Sequence, residues 1–142
     1  MSEKILFIDD EKDFLEVMSE RMAARNMKVS TAASAKEGLA IAAEGSFDAV
    51  ILDLAMPEMN GIEVLKILKE KNPDLEVILL TGHATVKDGI EAMKLGALDL
   101  LEKPADINAL TDKIKAAQAK KMVIVEKKSE EMVKKIMATK GW

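Results

Sequence analysis

Short apolar runs alternate with amphipathic segments along the chain, and this alternation limits the possible folds more than any other feature. Five runs rich in Ile, Leu and Val each precede a stretch whose apolar residues recur with helical spacing. The runs cover residues 4–8, 27–32, 48–54, 76–80 and 98–103. Several runs are continuously apolar, which is typical of strands buried on both faces. The pattern therefore predicts an α/β fold, with a doubly wound five-stranded parallel sheet and helices on both sides.

Capping residues and glycines mark the predicted helix ends. Ser34 and Glu37 have the spacing of a capping box at a helix start. Gly45 and Gly96 stand where two helical patterns stop, as expected for C-terminal caps. A final helix is predicted from residue 106 to about residue 121.

Residues 122–142 lie beyond the repeating pattern. We therefore predict a domain over residues 1–121 and a C-terminal extension over residues 122–142. Met122, Val125, Met132 and Ile136 would form an apolar seam if the extension continued the last helix, and such a seam favours self-association as a homodimer. Two alternatives stay open at this stage: a short strand in "MVIV" and a partly frayed tail.

Charge and composition exclude several classes of protein. Residues 1–102 carry 11 basic and 20 acidic side chains, a net charge of −9, whereas residues 103–142 have a net charge of +5. An acidic body argues against direct nucleic-acid binding. The chain contains no Cys, which excludes disulfides, thiolate metal sites and Cys nucleophiles. The sequence start is too acidic for a signal peptide and no run reaches membrane-spanning length, so we expect a cytoplasmic protein without membrane insertion.

Polar or charged residues follow four of the five predicted strands. Asp9 and Asp10 end the first strand, Asp53 the third, Thr81 the fourth and Lys103 the fifth. Ligands of doubly wound sheets bind outside the carboxyl ends of the strands. We therefore expect these five side chains to form one site.

Three carboxylates at one sheet edge would repel each other strongly. Each like-charged pair about 4 Å apart costs roughly 4 kcal/mol at an effective dielectric constant near 20. A divalent cation removes this cost, and carboxylate oxygens suit Mg²⁺, although Mn²⁺ and Ca²⁺ fit the same pattern. Asp10 is also placed to act as the N-cap of the helix that follows.

With a cation bound, the set has the parts for phosphoryl transfer. Asp53 can attack phosphorus, while Lys103 and the Thr81 hydroxyl stabilise the phosphoryl oxygens. His83, the only His in the chain, lies two residues after Thr81. A surface position or a contact with a partner fits His83 better than catalysis, and a role in tuning the reaction rate is an alternative.

The motifs "IDDE", "LDLAMP", "LLTGHA" and "EKP" carry a resemblance to a known family. Over residues 4 to about 121 the chain resembles the receiver domain of bacterial two-component response regulators. The resemblance implies a flavodoxin-like, CheY-like sheet of order 2-1-3-4-5. It also implies a Lys103–Pro104 peptide bond in the cis form. For residues 122–142, beyond the resemblance, the apolar seam favours a C-terminal helical extension.

Carried over residue by residue, the resemblance makes Asp53 the phosphoacceptor. Asp10, Asp53 and the backbone carbonyl of Ala55 would bind Mg²⁺ directly, and Asp9 would bind it through water. Thr81 would reorient on phosphorylation, and Lys103 would contact the acyl phosphate. The family usually has Tyr or Phe three residues before that Lys, whereas this chain has Leu100, so the aromatic switch is absent and output needs another route.

The implied function is a phosphoacceptor module in a phosphorelay, not a metabolic enzyme. A sensor histidine kinase or a histidine phosphotransfer protein would donate the phosphoryl group, and an unidentified downstream protein would read the change. An alternative is that the chain is the receiver fragment of a longer transcriptional regulator, which residues 81–104 resemble.

Two other functions on similar architectures fit the sequence less well. A phosphohydrolase of the haloacid-dehalogenase type needs an acid two residues after its nucleophile, and here that residue is Ala55. A flavodoxin-like FMN carrier needs a hydroxyl-rich loop after the first strand, whereas "DDEKD" would repel phosphate.

Overall fold

The computed structural model describes residues 3–82, 86–104 and 106–139, which form five strands and five helices in strict alternation. The elements in chain order are β1 (Lys4–Ile8), α1 (Lys12–Ala23), β2 (Lys28–Ala32), α2 (Ala35–Glu44), β3 (Ala49–Asp53), α3 (Gly61–Lys71), β4 (Val77–Thr81), α4 (Val86–Lys94), β5 (Asp99–Glu102) and α5 (Ile107–Thr139). The predicted strand positions are confirmed to within two residues at each end.

The five strands form one parallel sheet of order β2-β1-β3-β4-β5, as predicted. Every residue of β3 and β4 is buried, and four of the five residues of β1 are buried, because helices cover both faces of these central strands. The edge strands β2 and β5 are largely half-exposed or exposed. Apolar side chains from alternate strand positions form two separate core clusters, one on each face. This is the doubly wound architecture.

The helix ends agree with the predicted caps, with one exception. The Ser34 hydroxyl accepts a hydrogen bond from the Glu37 amide at 3.2 Å, and Gly45 caps the C terminus of α2. Gly96 follows α4 with φ of +93°, a left-handed conformation that glycine adopts without strain. The prediction for Asp10 was wrong: the N-cap of α1 is Glu11, and its side chain makes no capping hydrogen bond.

Helix α5 continues through residue 121 to Thr139 without a break, which confirms the helical extension and rules out a strand in "MVIV". No Pro or Gly interrupts the sequence over this span. Leu110, Ile114 and Ala117 are fully buried against the sheet. No described helix is both long enough and apolar enough to cross a membrane.

Candidate functional site at the carboxyl edge of the sheet

Asp9, Asp10 and Asp53 meet at the carboxyl edge of the sheet. Because Ile8 of β1 pairs with Leu52 of β3, the residues that follow them lie side by side. Asp9 and Asp53 are buried and Asp10 is half-buried, and one carboxylate oxygen from each lies within 4.8 Å of the others. The predicted convergence of the three carboxylates is therefore present.

Backbone amides orient two of these carboxylates. Oδ1 of Asp9 accepts a hydrogen bond from the Glu11 amide at 2.9 Å, and Oδ1 of Asp53 accepts one from the Ala55 amide at 3.2 Å. The second oxygen of Asp9, Oδ2, is buried and is held by charge, because the ammonium group of Lys103 forms an ion pair with it.

Lys103 places its ammonium group among the acidic side chains. Its Nζ lies 2.8 Å from Asp9 Oδ2 and 3.6 Å from Asp53 Oδ2, as ion pairs. The backbone of Lys103 is fixed at this edge of the sheet, because its amide donates a hydrogen bond to the Thr81 carbonyl at 2.7 Å. The Lys103–Pro104 peptide bond is cis, as the resemblance implied.

Two side chains that the sequence analysis left out of the site also contact Lys103. Glu11 Oε1 lies 3.2 Å from the ammonium, and the Phe14 ring centroid lies 4.5 Å from it in a cation–π contact. Glu11 adjoins the acidic pair and could have been included for that reason. Phe14 carried no such signal, because its helical spacing predicted only a core position.

Burial dominates the acidity of Asp53. Desolvation, followed by the negative charge of Asp9, raises the pKa of Asp53 to about 7 from an ordinary value of 3.8. The charge of Lys103 and the Ala55 amide oppose this rise without cancelling it. If Asp53 is to act as a nucleophile at neutral pH, its carboxyl group must be ionised. This requires a further positive charge nearby.

The charges at this edge match a divalent cation. Burial would lower the pKa of Lys103, but its contacts with Asp9, and then with Asp53 and Glu11, outweigh burial and raise that pKa. Three carboxylates and one ammonium group sum to a charge of −2. Asp9, Asp10 and Asp53 could therefore hold a doubly charged metal ion through hard oxygen ligands.

Thr81 and Ala55 lie beside the acidic cluster. Thr81 is the last residue of β4 and is buried, whereas Ala55 is exposed in the loop after β3. Both line a cavity of about 630 Å³ between the β3–α3 loop and α4. The structure therefore brings Thr81 to the same edge as Asp53. The metal-binding role of the Ala55 carbonyl stays a prediction.

Leu100 lies under α4, away from the charged groups. It is half-buried against the core cluster that includes Ala92 and Ala97. A Cβ atom on Gly89 would stand 3.8 Å from its Cδ2, so the two residues face each other across the α4–β5 contact. The other residue singled out near the site, His83, lies outside the described residues.

Gly61 holds the β3–α3 loop close to the phosphoacceptor candidate. A Cβ atom at this position would lie 2.6 Å from Leu54 Cα and 2.7 Å from the Asp53 carbonyl oxygen. Both contacts are with backbone, which cannot move without displacing Asp53. Only glycine allows α3 to begin this close to the end of β3.

We expect Gly61→Ala to lower the free energy of unfolding by about 1–3 kcal/mol, the usual cost of overpacking. Urea unfolding followed by circular dichroism measures it. The matched control is Gly89→Ala in α4, where the nearest atom would be 3.8 Å away and removal of a helical glycine should stabilise by about 0.5–1 kcal/mol. Equal stability of the Gly61→Ala variant and the parent chain would show that the β3–α3 loop can shift to accommodate the added methyl group at little cost.

Comparison with known proteins agrees with this geometry. Residues 5–115 match the sequence model of the response regulator receiver domain. The chain is 36% identical over 107 residues to the photosynthetic apparatus regulatory protein RegA of Cereibacter sphaeroides, covering 75% of this chain and 58% of RegA. It is 35% identical over 115 residues to the transcriptional regulatory protein ZraR of Salmonella typhimurium, covering 81% of this chain and 26% of ZraR. The chain thus spans less than two thirds of these relatives.

Solved structures show the same fold. A response regulator receiver domain protein from Clostridium thermocellum superposes with a TM-score of 0.83 at 37% identity, over 87% of this chain and 99% of that one. A CheY-like receiver domain protein from Methanospirillum hungatei gives a TM-score of 0.81 at 27% identity, over 86% and 98% of the two chains. Fold, site geometry and sequence agree, and this chain belongs to the response regulator receiver domain family.

Proposed function

We propose that the chain accepts a phosphoryl group on Asp53 and switches its surface in response. The observation that carries the proposal is the buried Asp53 carboxylate, which lies beside Asp9 and Asp10 and 3.6 Å from Lys103. Nucleophile, acidic cation site and phosphate-binding ammonium group are thus within reach of one phosphorus atom.

In the proposed reaction, an Asp53 carboxylate oxygen attacks the phosphorus of a donor phosphate. An oxygen–phosphorus bond forms and the bond from phosphorus to the donor breaks, so the donor leaves with the electron pair. Lys103 neutralises part of the charge on the phosphoryl oxygens, and the Thr81 hydroxyl donates a hydrogen bond to one of them. Asp10, Asp53 and the Ala55 carbonyl would hold Mg²⁺, with Asp9 acting through water. When bound, Mg²⁺ supplies positive charge to the phosphoryl oxygens.

The proposed donor is a sensor histidine kinase or a histidine phosphotransfer protein, because receiver domains of response regulators interact with histidine kinases. The place of action is the cytoplasm. The domain, residues 1–121, catalyses its own phosphorylation and slow dephosphorylation. Since Leu100 packs under α4 at Gly89, the signal leaves through α4 and β5 without an aromatic switch.

A second proposal concerns the full-length protein. RegA and ZraR are longer regulators, and the chain covers 58% and 26% of their lengths. This favours the alternative in which the chain is the receiver part of a longer transcriptional regulator. In both readings Asp53 has the same chemistry, and only the downstream partner differs.

Nuclear magnetic resonance tests the proposal without covalent chemistry. Beryllofluoride, a mimic of a phosphoryl group, is added to the ¹⁵N-labelled chain with Mg²⁺. We expect amide shifts at Ala55, Thr81 and Lys103, and none in the Asp53→Asn variant. Equal shifts in that variant would remove Asp53 as the acceptor.

We expect Asp10→Ala to weaken Mg²⁺ binding by roughly tenfold or more, because it removes one of three negative charges from the cluster. A titration followed by the same amide signals measures the dissociation constant. Asp112→Ala, an exposed carboxylate on α5, serves as the control and should bind Mg²⁺ like the parent chain. Unchanged affinity in the Asp10→Ala variant would place the cation elsewhere.

A further inference from the structure

The cavity beside Thr81 is also a groove, and its lining is mostly polar. Met56, Met59 and Ile62 are among the apolar side chains that form its floor between the β3–α3 loop and α4. Its volume of about 630 Å³ is several times that of a methionine side chain, so it can admit two apolar side chains together. We call it the α3–α4 groove.

The wall of the α3–α4 groove is strongly acidic. One lysine, Lys66, lines it together with four carboxylate side chains. These are Glu58, Glu63, Asp88 and Glu91. The groove therefore suits a segment that is apolar on one side and basic around it.

The end of α5 has this chemistry. Met122, Met132 and Val133 are exposed by 59%, 65% and 60%. Residues 120–135 contain six lysines and three glutamates, a net charge of +3. We call this segment the α5 tail. Its apolar and charged groups complement the floor and the wall of the α3–α4 groove.

The α5 tail cannot reach the groove of its own chain. Lys120 pairs with Glu76 at 3.3 Å and Lys128 pairs with Asp74, so α5 passes the residues that precede β4, at the amino edge of the sheet. The α3–α4 groove opens at the opposite, carboxyl edge. The 22 residues after Ala117, through Thr139, extend the helix by about 33 Å away from the groove.

We propose that the α5 tail of one copy docks in the α3–α4 groove of a second copy. A tail leaving one edge and a groove opening at the other can meet across a two-fold axis that sets two copies antiparallel, and each tail then fills the other's groove in a closed dimer. The contact covers the cavity that Ala55 and Thr81 line at the site. Pairing of the copies therefore competes with access to the site.

The test compares charge-reversed full-length chains by sedimentation velocity, over a range of concentrations. The parent chain should form dimers that dissociate as the salt concentration rises from about 0.05 M to about 1 M. A groove variant, Glu63→Lys with Glu91→Lys, and a tail variant, Lys127→Glu with Lys134→Glu, should each associate about tenfold or more weakly. Mixing the two variants should restore dimers, because a basic groove then meets an acidic tail.

Glu16→Lys with Glu20→Lys on α1 is the matched control, since both are exposed and lie outside the groove. This variant should dimerise like the parent chain. Circular dichroism verifies that α5 remains helical in the tail variant. A parent chain that stays monomeric throughout overturns the proposal. So does a groove variant that dimerises like the parent chain, which would indicate tail-to-tail pairing, or a mixture that stays monomeric.

Discussion

Without divalent cations, Asp53→Asn is expected to be more stable than the parent chain by roughly 4 kcal/mol at about pH 8. The parent chain must bury a charged carboxylate next to Asp9, whereas the amide carries no charge. The pKa of Asp53 is about 7 in the folded chain against an ordinary value of 3.8, so the folded state binds this proton more tightly. The stabilisation that comes from the protonated Asp53 carboxyl is fully present below the ordinary pKa of 3.8. It is lost as the pH rises through the pKa of about 7 in the folded chain.

The difference between the two chains should therefore depend on pH in a defined way. It should be near zero at about pH 4, grow as pH rises towards about 7, and level off above that. Urea unfolding at a series of pH values measures it, and saturating Mg²⁺ should abolish most of the difference. Asp112→Asn on α5 is the control and should change stability by less than about 0.5 kcal/mol. A difference that stays constant across the pH range would show that the charge of Asp53 is not the cause.

Lys103→Met is expected to lower the rate of phosphoryl uptake from acetyl phosphate by about 100-fold to 1000-fold. The variant keeps an apolar stem against Phe14 but removes the ammonium group that lies near Asp9 and Asp53. The same change raises the negative charge of the cluster from −2 to −3. Mg²⁺ should therefore bind more tightly while phosphorylation slows.

These opposite effects on Mg²⁺ binding and on phosphorylation distinguish the loss of the ammonium group from damage to the folded site. Intact mass against time gives the rate, and the amide titration gives the Mg²⁺ affinity. Lys113→Met, which breaks the ion pair with Asp99 on β5, is the matched control and should retain the parent rate. Weaker Mg²⁺ binding together with slow uptake would point to a disrupted site, not to a missing cation.

The sequence predicted the sheet because its central strands are short continuous apolar runs, typical of strands buried on both faces, and each is followed by a longer stretch with helical spacing. It predicted the convergence of Asp9, Asp10 and Asp53 because parallel strands bring their carboxyl ends together. The predicted ends of the strands were less accurate. Thr81 is the last residue of β4, whereas the apolar pattern stopped the strand at residue 80. Thr81 is a buried polar residue, so it ends the apolar pattern although the strand continues through it.

Other features depend on distances that a linear pattern does not contain. The contacts of Lys103 with Glu11 and Phe14 join the end of β5 to the start of α1. Asp10 is a residue type that often caps helices, but the N-cap of α1 lies one residue later, at Glu11, and Asp9 accepts a hydrogen bond from the Glu11 amide. The α3–α4 groove arises from the spacing of two helices, so no local motif indicates it.

Phosphorylation of Asp53 is the central claim, and trapping the acyl phosphate tests it directly. The chain is treated with acetyl phosphate and Mg²⁺, then reduced with borohydride, which converts a phosphorylated aspartate to homoserine, and mapped by peptide mass spectrometry. We predict one homoserine, at position 53, which requires Mg²⁺ and is absent in Asp53→Asn. Homoserine at another aspartate, or phosphoryl uptake that persists in the Asp53→Asn variant, would contradict the account.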